Sequence, residues 1–110
     1  MKVPNADRAI VDIRKLTDYC LNYEHPRGRH KARVFQSALG LTAINAAEIR
    51  DLLLRKVKSE DCAMGLSDEY GTRYTVDFAY ARGGKQAMLR STWNIKAEED
   101  TPRLTSCFAL

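Results

Sequence analysis

Apolar residues recur at helical spacing through the first half of the chain and alternate with polar residues through much of the second half. In the first half, Ile49, Leu52 and Leu53 illustrate the helical pattern, with charged residues on the opposite face. Gly40 is a natural C-terminal cap and is expected to end the middle helix. The pattern predicts three helices, which cover about residues 13–21, 30–40 and 43–58.

The second half of the chain predicts a meander of antiparallel strands. Tyr74, Val76 and Phe78 alternate with polar residues along one strand, and the run Arg82-Gly83-Gly84-Lys85 is typical of a hairpin turn. The predicted strands cover about residues 62–67, 73–81, 86–96 and 103–110. The expected fold class is therefore α+β, with three N-terminal helices followed by three or four antiparallel strands in one domain of residues 1–110. An extended piece at Arg8–Val11 is a candidate extra edge strand at the N-terminus.

The composition is that of one ordinary domain. The chain has 110 residues, of which 45% are hydrophobic, and this length suits one core rather than two. No stretch approaches the ~20 apolar residues that cross a bilayer, and the N-terminus has no apolar signal core. The three cysteines include no CxxC pair. We therefore expect a cytoplasmic protein with reduced thiols, no membrane partner, no metal and no cofactor.

The charge of the chain is moderately basic. Lysine and arginine total 18 against 14 acidic residues, so the net charge is +4. This excess permits a polyanionic partner, such as nucleic acid or an acidic protein, but does not require one.

The basic charge is concentrated in one segment, residues 25–33, which we call the basic segment. It contains four cations and both histidines of the chain, His25 and His30. The second predicted helix begins inside it, so unpaired backbone amides of the first turn are expected to point into the same space. Together these groups suit an anion such as phosphate, and histidine adds a proton-transfer group. The alternative interpretation is a solvated loop between two helices.

RNA cleavage without a metal requires a base, an acid and cations that stabilise the pentavalent phosphorane. His25 and His30 are candidates for the base and the acid, and Lys31 is a candidate for the cationic clamp. Phosphate contacts are predicted from Arg27, Arg29 and Arg33 of the basic segment and from Arg90 and Thr92 of one strand, and further catalytic contacts from Arg103 and Thr105 of the last strand. The alternative for the strand residues is the solvent-facing half of amphipathic strands.

Several blocks of residues resemble a small bacterial domain of unknown function that occurs at the ends of polymorphic toxins and as a separate chain beside a small partner gene. In chain order the blocks are Leu16…Tyr19-Cys20-Leu21-Asn22, Gly28…Lys31-Ala32-Arg33-Val34-Phe35…Leu39-Gly40, Tyr70-Gly71…Tyr74…Asp77, Leu89-Arg90-Ser91-Thr92-Trp93 and Pro102-Arg103-Leu104-Thr105. They cover nearly the whole chain. The domain is in turn similar to the broad barnase/EndoU/colicin/RelE-like ribonuclease toxin fold, in which helices precede an antiparallel meander.

The resemblance implies a function and points to particular residues. Lys31 matches the lysine that opens the second helix of the domain, and Arg103 and Thr105 match its closing block. Phe108 stands where related chains often have tyrosine. The implied protein is the toxin of a toxin–antitoxin or toxin–immunity pair, a metal-independent endoribonuclease with an RNA substrate and a small acidic antitoxin or immunity partner. The alternative is a non-catalytic module that binds nucleic acid or an acidic protein through the same basic surface.

Overall fold

Three helical elements come first in the computed structural model, which describes residues Met1–Leu110. Helix α1 begins at Ile13–Lys15 and continues as a π-helical segment at Leu16–Cys20. Helix α2 spans Arg29–Leu39, and α3 spans Ala46–Ser59 after a 3-10 turn at Ala43–Asn45. The three predicted helices are therefore confirmed.

The helix ends follow the expected local chemistry. The Asp12 carboxylate accepts a hydrogen bond from the Arg14 amide at the start of α1. Gly40 ends α2 in the left-handed region, with φ 69°. Thr42 and Asn45 form a reciprocal capping box before α3.

Four antiparallel strands follow in the sheet order β1-β2-β3-β4, which confirms the predicted meander. The strands are β1 Ala63–Asp68, β2 Gly71–Arg82, β3 Lys85–Ile95 and β4 Arg103–Ala109. In the pairing of β3 with β4, Thr92 lies opposite Ser106 and Trp93 lies opposite Leu104, so Thr105 is an extra residue in a bulge. Within this bulge Thr105 is exposed and Ser106 is half-buried.

The core lies between the helices and one face of the sheet. Val76, Phe78 and Leu89 point from the strands toward apolar residues of α2 and α3, such as Phe35. Ser91 is the one buried polar side chain in this face: its hydroxyl donates to the Val76 carbonyl oxygen at 3.0 Å and accepts from the Trp93 indole at 2.9 Å. Because both bonding roles are filled, the hydroxyl is buried without the cost of an unpaired polar group.

The predicted N-terminal edge strand is not formed. Ile10 makes a single parallel bridge to Arg103, and its backbone exchanges hydrogen bonds with Pro102 and Leu104. A 3-10 turn ends at Arg8 and α1 begins at Ile13, so too few residues remain extended to build a ladder. The N-terminal segment therefore touches the edge of β4 without continuing the sheet.

Candidate functional site

Lys31 extends from α2 to the edge strand β4 and lies at the centre of a compact group. Its ammonium donates hydrogen bonds to the Tyr19 phenol oxygen at 2.8 Å and to the Ser106 hydroxyl at 3.1 Å. It also lies 4.8 Å from the centre of the Tyr19 ring and 5.0 Å from that of Phe108. We call Lys31, Tyr19, Ser106 and Phe108 the Lys31 cluster. An ammonium has three N–H bonds, and two oxygen acceptors leave one of them for a ligand.

The local fold explains why these residues meet. Phe35 on α2 is fully buried, and it anchors the helix so that Lys31, one turn earlier, reaches β4. The π-helical turn of α1, closed by a 2.8 Å bond from the Leu21 amide to the Leu16 carbonyl oxygen, presents Tyr19 to the start of α2. Gly28 makes this approach possible, because a Cβ at that position would lie 2.2 Å from the Tyr19 carbonyl oxygen.

Charge pairing separates the predicted site residues into two groups. The four cations of the basic segment form no salt bridge. Arg90, in contrast, is held by Asp77 through two hydrogen bonds of 2.9 and 2.8 Å, and its guanidinium lowers the pKa of that carboxyl. Arg103 lies 3.4 Å from the Glu99 carboxylate. Positive charge free to meet a ligand is therefore concentrated on the helix side of the site.

The two histidines have different surroundings, because His30 is exposed and His25 is half-buried. The His25 ring lies edge-on to Tyr19, with the ring centres 4.9 Å apart. Its Nδ1 accepts hydrogen bonds from the amides of Arg27 and Gly28 at 3.0 and 2.9 Å. Nδ1 therefore carries no proton here, and Nε2 is the nitrogen that faces a ligand as a donor.

This arrangement corrects one expectation about the basic segment. The amides of Arg27 and Gly28 are occupied by the His25 ring, and the Arg29 amide donates to the His25 carbonyl oxygen at 3.0 Å. These amides are not free for an anion, because the short turn before α2 uses its own histidine as a cap. The amides of His30 and Lys31 make no hydrogen bond in the structure, so anion binding here depends on side chains and on these two amides.

The threonines predicted on the sheet side join the Lys31 cluster through Ser106. The hydroxyl oxygens of Thr92 and Thr105 lie 2.7 Å apart, and Thr92 also donates to the Ser106 carbonyl oxygen at 3.4 Å. Five further predicted residues are exposed: Arg27, Arg29, His30, Arg33 and Arg103. Arg29 and Arg33 are each two residues from Lys31 on α2, so they project from a different side of the helix. The proximity of Lys31, Thr92 and Thr105 brings part of the predicted site together.

Three residues of the cluster, Tyr19, Ser106 and Phe108, were not among the predicted site residues. Tyr19 stands in the first block of the family resemblance, and Ser106 directly follows the closing block. Position within or next to those blocks was the available signal for Tyr19 and Ser106. Their contact with Lys31 depends on packing between residues 12 and 75 positions apart, which periodicity does not reveal.

No group of three or more histidine, cysteine or acidic side chains has an arrangement that could hold a metal ion. None of the helices has the length and apolar character needed to cross a bilayer.

Comparison with known proteins identifies the family of the chain. Residues 2–110 match the model of a domain of unknown function, DUF6883, and the chain belongs to this family. No curated protein matches the sequence.

The fold is similar to a chain in a solved complex, the contact-dependent growth inhibition toxin–immunity protein complex from Klebsiella pneumoniae 342. The TM-score is 0.70 at 16% sequence identity, and the match covers 93% of this chain and 100% of that chain. At this identity the match establishes a shared fold.

Proposed function

We propose that the protein is a metal-independent endoribonuclease and the toxin of a toxin–immunity pair. The observation that carries the proposal is the Lys31 ammonium, which is half-buried between two aromatic rings and has no carboxylate partner. Holding such a charge away from bulk water is costly unless an anion compensates it. A phosphate of RNA supplies that anion.

The Lys31 cluster offers three donors to a phosphate. Lys31 has one remaining N–H, and the Tyr19 and Ser106 hydroxyls each accept from Lys31, which leaves their own protons free to donate. Donors held in place before the reaction stabilise the charge that develops on the phosphorane oxygens. Lys31 acts as the clamp in this proposal.

Proton transfer is assigned to groups beside the clamp. His30, which precedes Lys31 and is exposed, takes the proton from the 2′-hydroxyl. Tyr19 gives its phenol proton to the leaving 5′-oxygen, and the Lys31 ammonium at 2.8 Å stabilises the phenolate that results. His25 donates a hydrogen bond from Nε2 to a phosphate oxygen, because acting as a base would sacrifice its two bonds to backbone amides.

The unpaired arginines of the basic segment extend the surface for RNA. Arg29 and Arg33 are one helical turn apart on α2 and are both exposed, and Arg27 precedes them. Because residues two apart on a helix project from different sides, Arg29 and Arg33 are proposed to contact phosphates farther from the cleaved bond than those at Lys31. Arg90 and Arg103 would have to exchange their carboxylate partners for phosphate, so we assign them weaker contacts.

The proposed partner is a small acidic immunity protein. The similar fold occurs in a complex of a toxin with an immunity protein, and this supports a similar pairing here. The toxin half suits the present chain better, because its net charge is +4 and the four cations of its basic segment have no salt-bridge partner. An acidic partner would cover them and block RNA.

A second candidate is a non-catalytic module that binds RNA or an acidic protein through the same surface. The observation that favours it is the double acceptor role of His25 Nδ1, which removes one of the two histidines from base chemistry. Such a module would bind RNA with a steep salt dependence and leave it intact.

The test is RNA cleavage by the purified protein in the presence of a chelator. We expect cleavage products that end in a cyclic phosphate, and Lys31→Ala should reduce kcat/KM by about 100-fold or more, as for loss of one preorganised donor to an oxyanion. Tyr19→Phe removes the proposed acid with little change in shape and should lower kcat more than it raises KM.

Lys58→Ala is the matched control, since Lys58 is an exposed lysine on α3 that forms no salt bridge. It should cleave at the wild-type rate. Intact RNA after incubation with folded wild-type protein would refute the enzyme, and salt-sensitive binding in the same experiment would support the binding module.

A further inference from the structure

A cavity of about 290 Å³ lies next to the Lys31 cluster and has a basic lining. Its charged residues are three cations, Lys15, Lys96 and Arg103, and one carboxylate, Asp12. The carboxylate is already engaged by Arg14 at 2.9 Å. Arg103 is also paired, with Glu99 at 3.4 Å, so Lys15 and Lys96 are the cations without a salt-bridge partner that give the cavity its positive charge.

The cavity also has neutral polar and apolar walls. Asn94 and Thr105 contribute polar side chains. Ile10, which is 39% exposed, forms an apolar wall together with Leu104. Cations beside an apolar wall suit a ligand that joins an anionic group to a flat or hydrophobic one, and a nucleotide has this composition.

Two residues that line the cavity, Thr105 and Lys15, also place it next to the Lys31 cluster. Thr105 lines the cavity, and the next residue, Ser106, accepts from Lys31. On the helix side, Lys15 lines both the cavity and a shallow depression that contains Tyr19 and His25. Arg103 is three residues from Ser106, about 10 Å along an extended strand, so one short single strand can contact both the cavity and the Lys31 cluster.

We propose that this cavity is a subsite for the nucleotide adjacent to the cleaved bond, with Lys15, Lys96 and Arg103 around its phosphate and Ile10 against its base or sugar. The proposal rests on the proposed function and adds a direction: the substrate is single-stranded and lies along the edge of β4. A base pair would not fit in a space of this size, so a duplex would need to open first.

The experiment measures how much a terminal phosphate adds to the affinity of a short ligand. The probes are dinucleotides that carry hydrogen in place of the attacking 2′-hydroxyl, so they cannot be cleaved, and that have a 5′-phosphate, a 3′-phosphate or neither. Binding is measured at low and moderate salt by calorimetry or NMR titration. In the wild type, one of the two terminal phosphates should strengthen binding by about tenfold, which corresponds to about 1.4 kcal/mol.

Variants show which residues are responsible for the gain in affinity from the terminal phosphate. Lys15→Ala/Lys96→Ala should lose the effect of the terminal phosphate, while Lys31→Ala should retain it although its overall affinity is lower. Both replaced lysines of the double variant are exposed, so folding should be preserved. Lys58→Ala/Lys85→Ala removes the same charge from exposed positions elsewhere and should keep the full gain.

The outcomes separate this proposal from the proposed function. Cleavage of RNA by the wild type with no gain from either terminal phosphate, or an equal gain in the Lys15→Ala/Lys96→Ala variant, overturns the subsite alone. Failure of every probe to bind overturns the subsite together with the RNA function. Displacement of the probes by a hexaglutamate peptide, again with no gain from phosphate, would identify the cavity as a protein-docking surface and would also overturn the subsite.

Discussion

Replacing Gly28 by alanine tests how closely the basic segment must approach the π-helical segment. Gly28 has φ −88° and ψ −15°, a conformation that alanine adopts readily, so backbone strain does not oppose the change. The obstacle is space, because the new Cβ would lie 2.2 Å from the Tyr19 carbonyl oxygen. Ordinary contacts of a Cβ begin near 3.4 Å, and the two segments would have to separate by roughly 1 Å.

Overpacking of this kind costs about 1–3 kcal/mol. We expect the upper end of that range, because the obstacle is a backbone carbonyl group that cannot rotate away as a side chain can. For a domain of this size, about 3 kcal/mol corresponds to a fall of about 10–20 °C in Tm. The separation would also move Tyr19 away from Lys31, so RNA cleavage measured well below Tm should fall in the same variant.

Gly65→Ala is the matched control for this prediction. A Cβ at Gly65 would meet Arg73 atoms at 3.7 Å, which is ordinary contact, so Tm should change by no more than a few degrees. Thermal unfolding followed by circular dichroism would measure both variants. If Gly28→Ala melts at the same temperature as Gly65→Ala, the close approach of the two segments is refuted.

Two further predictions concern titratable groups. Glu48 accepts a 2.7 Å hydrogen bond from Arg82, and this guanidinium lowers the pKa of the carboxyl. A carboxyl group with a lower pKa in the folded state contributes stability above its unfolded pKa and loses it as the pH falls through its folded pKa. The free energy of unfolding, measured by urea titration, should therefore fall more steeply below about pH 4.5 in the wild type than in Glu48→Gln. The additional loss should be less than about 1 kcal/mol, because the pair is partly exposed. Parallel plots of unfolding free energy against pH for the two proteins would contradict this. Burial raises the pKa of both the Cys20 and Cys107 thiols. A chromogenic disulfide reagent should therefore modify the half-buried Cys62 first and the other two cysteines only after unfolding. Rapid modification of all three cysteines in the native protein would show that the core is open.

The register of the central hairpin was accessible from the sequence. Gly83 and Gly84 both have positive φ, 56° and 80°, as a two-residue hairpin turn requires. Once Arg82 lies opposite Lys85, each preceding residue has a defined partner, and Asp77 falls opposite Arg90. The neutralisation of Arg90 could therefore have been inferred from the turn alone.

The exposure of the first strand, in contrast, could not be predicted from the sequence. β1 was predicted as a strand, but all six of its residues are exposed, including Met64 and Leu66 at 62% and 66%. Its location at the sheet edge, away from the helices, decides this exposure. Apolar composition within a strand indicates the strand and says nothing about what covers it.

Local periodicity by itself determined the order of helices and strands and the buried faces of the helices and of the central strands β2 and β3, since those depend on side chains a few residues apart. The basic segment was equally visible, because its charge is a local property of residues 25–33. The tertiary structure alone decided which of those charges meet a partner. Lys31 reaches Ser106, 75 positions away, and this contact depends on the π-helical turn, the missing side chain at Gly28 and the bulge in β4 acting together. Contacts that require three separate packing events to coincide leave no periodic pattern in the sequence.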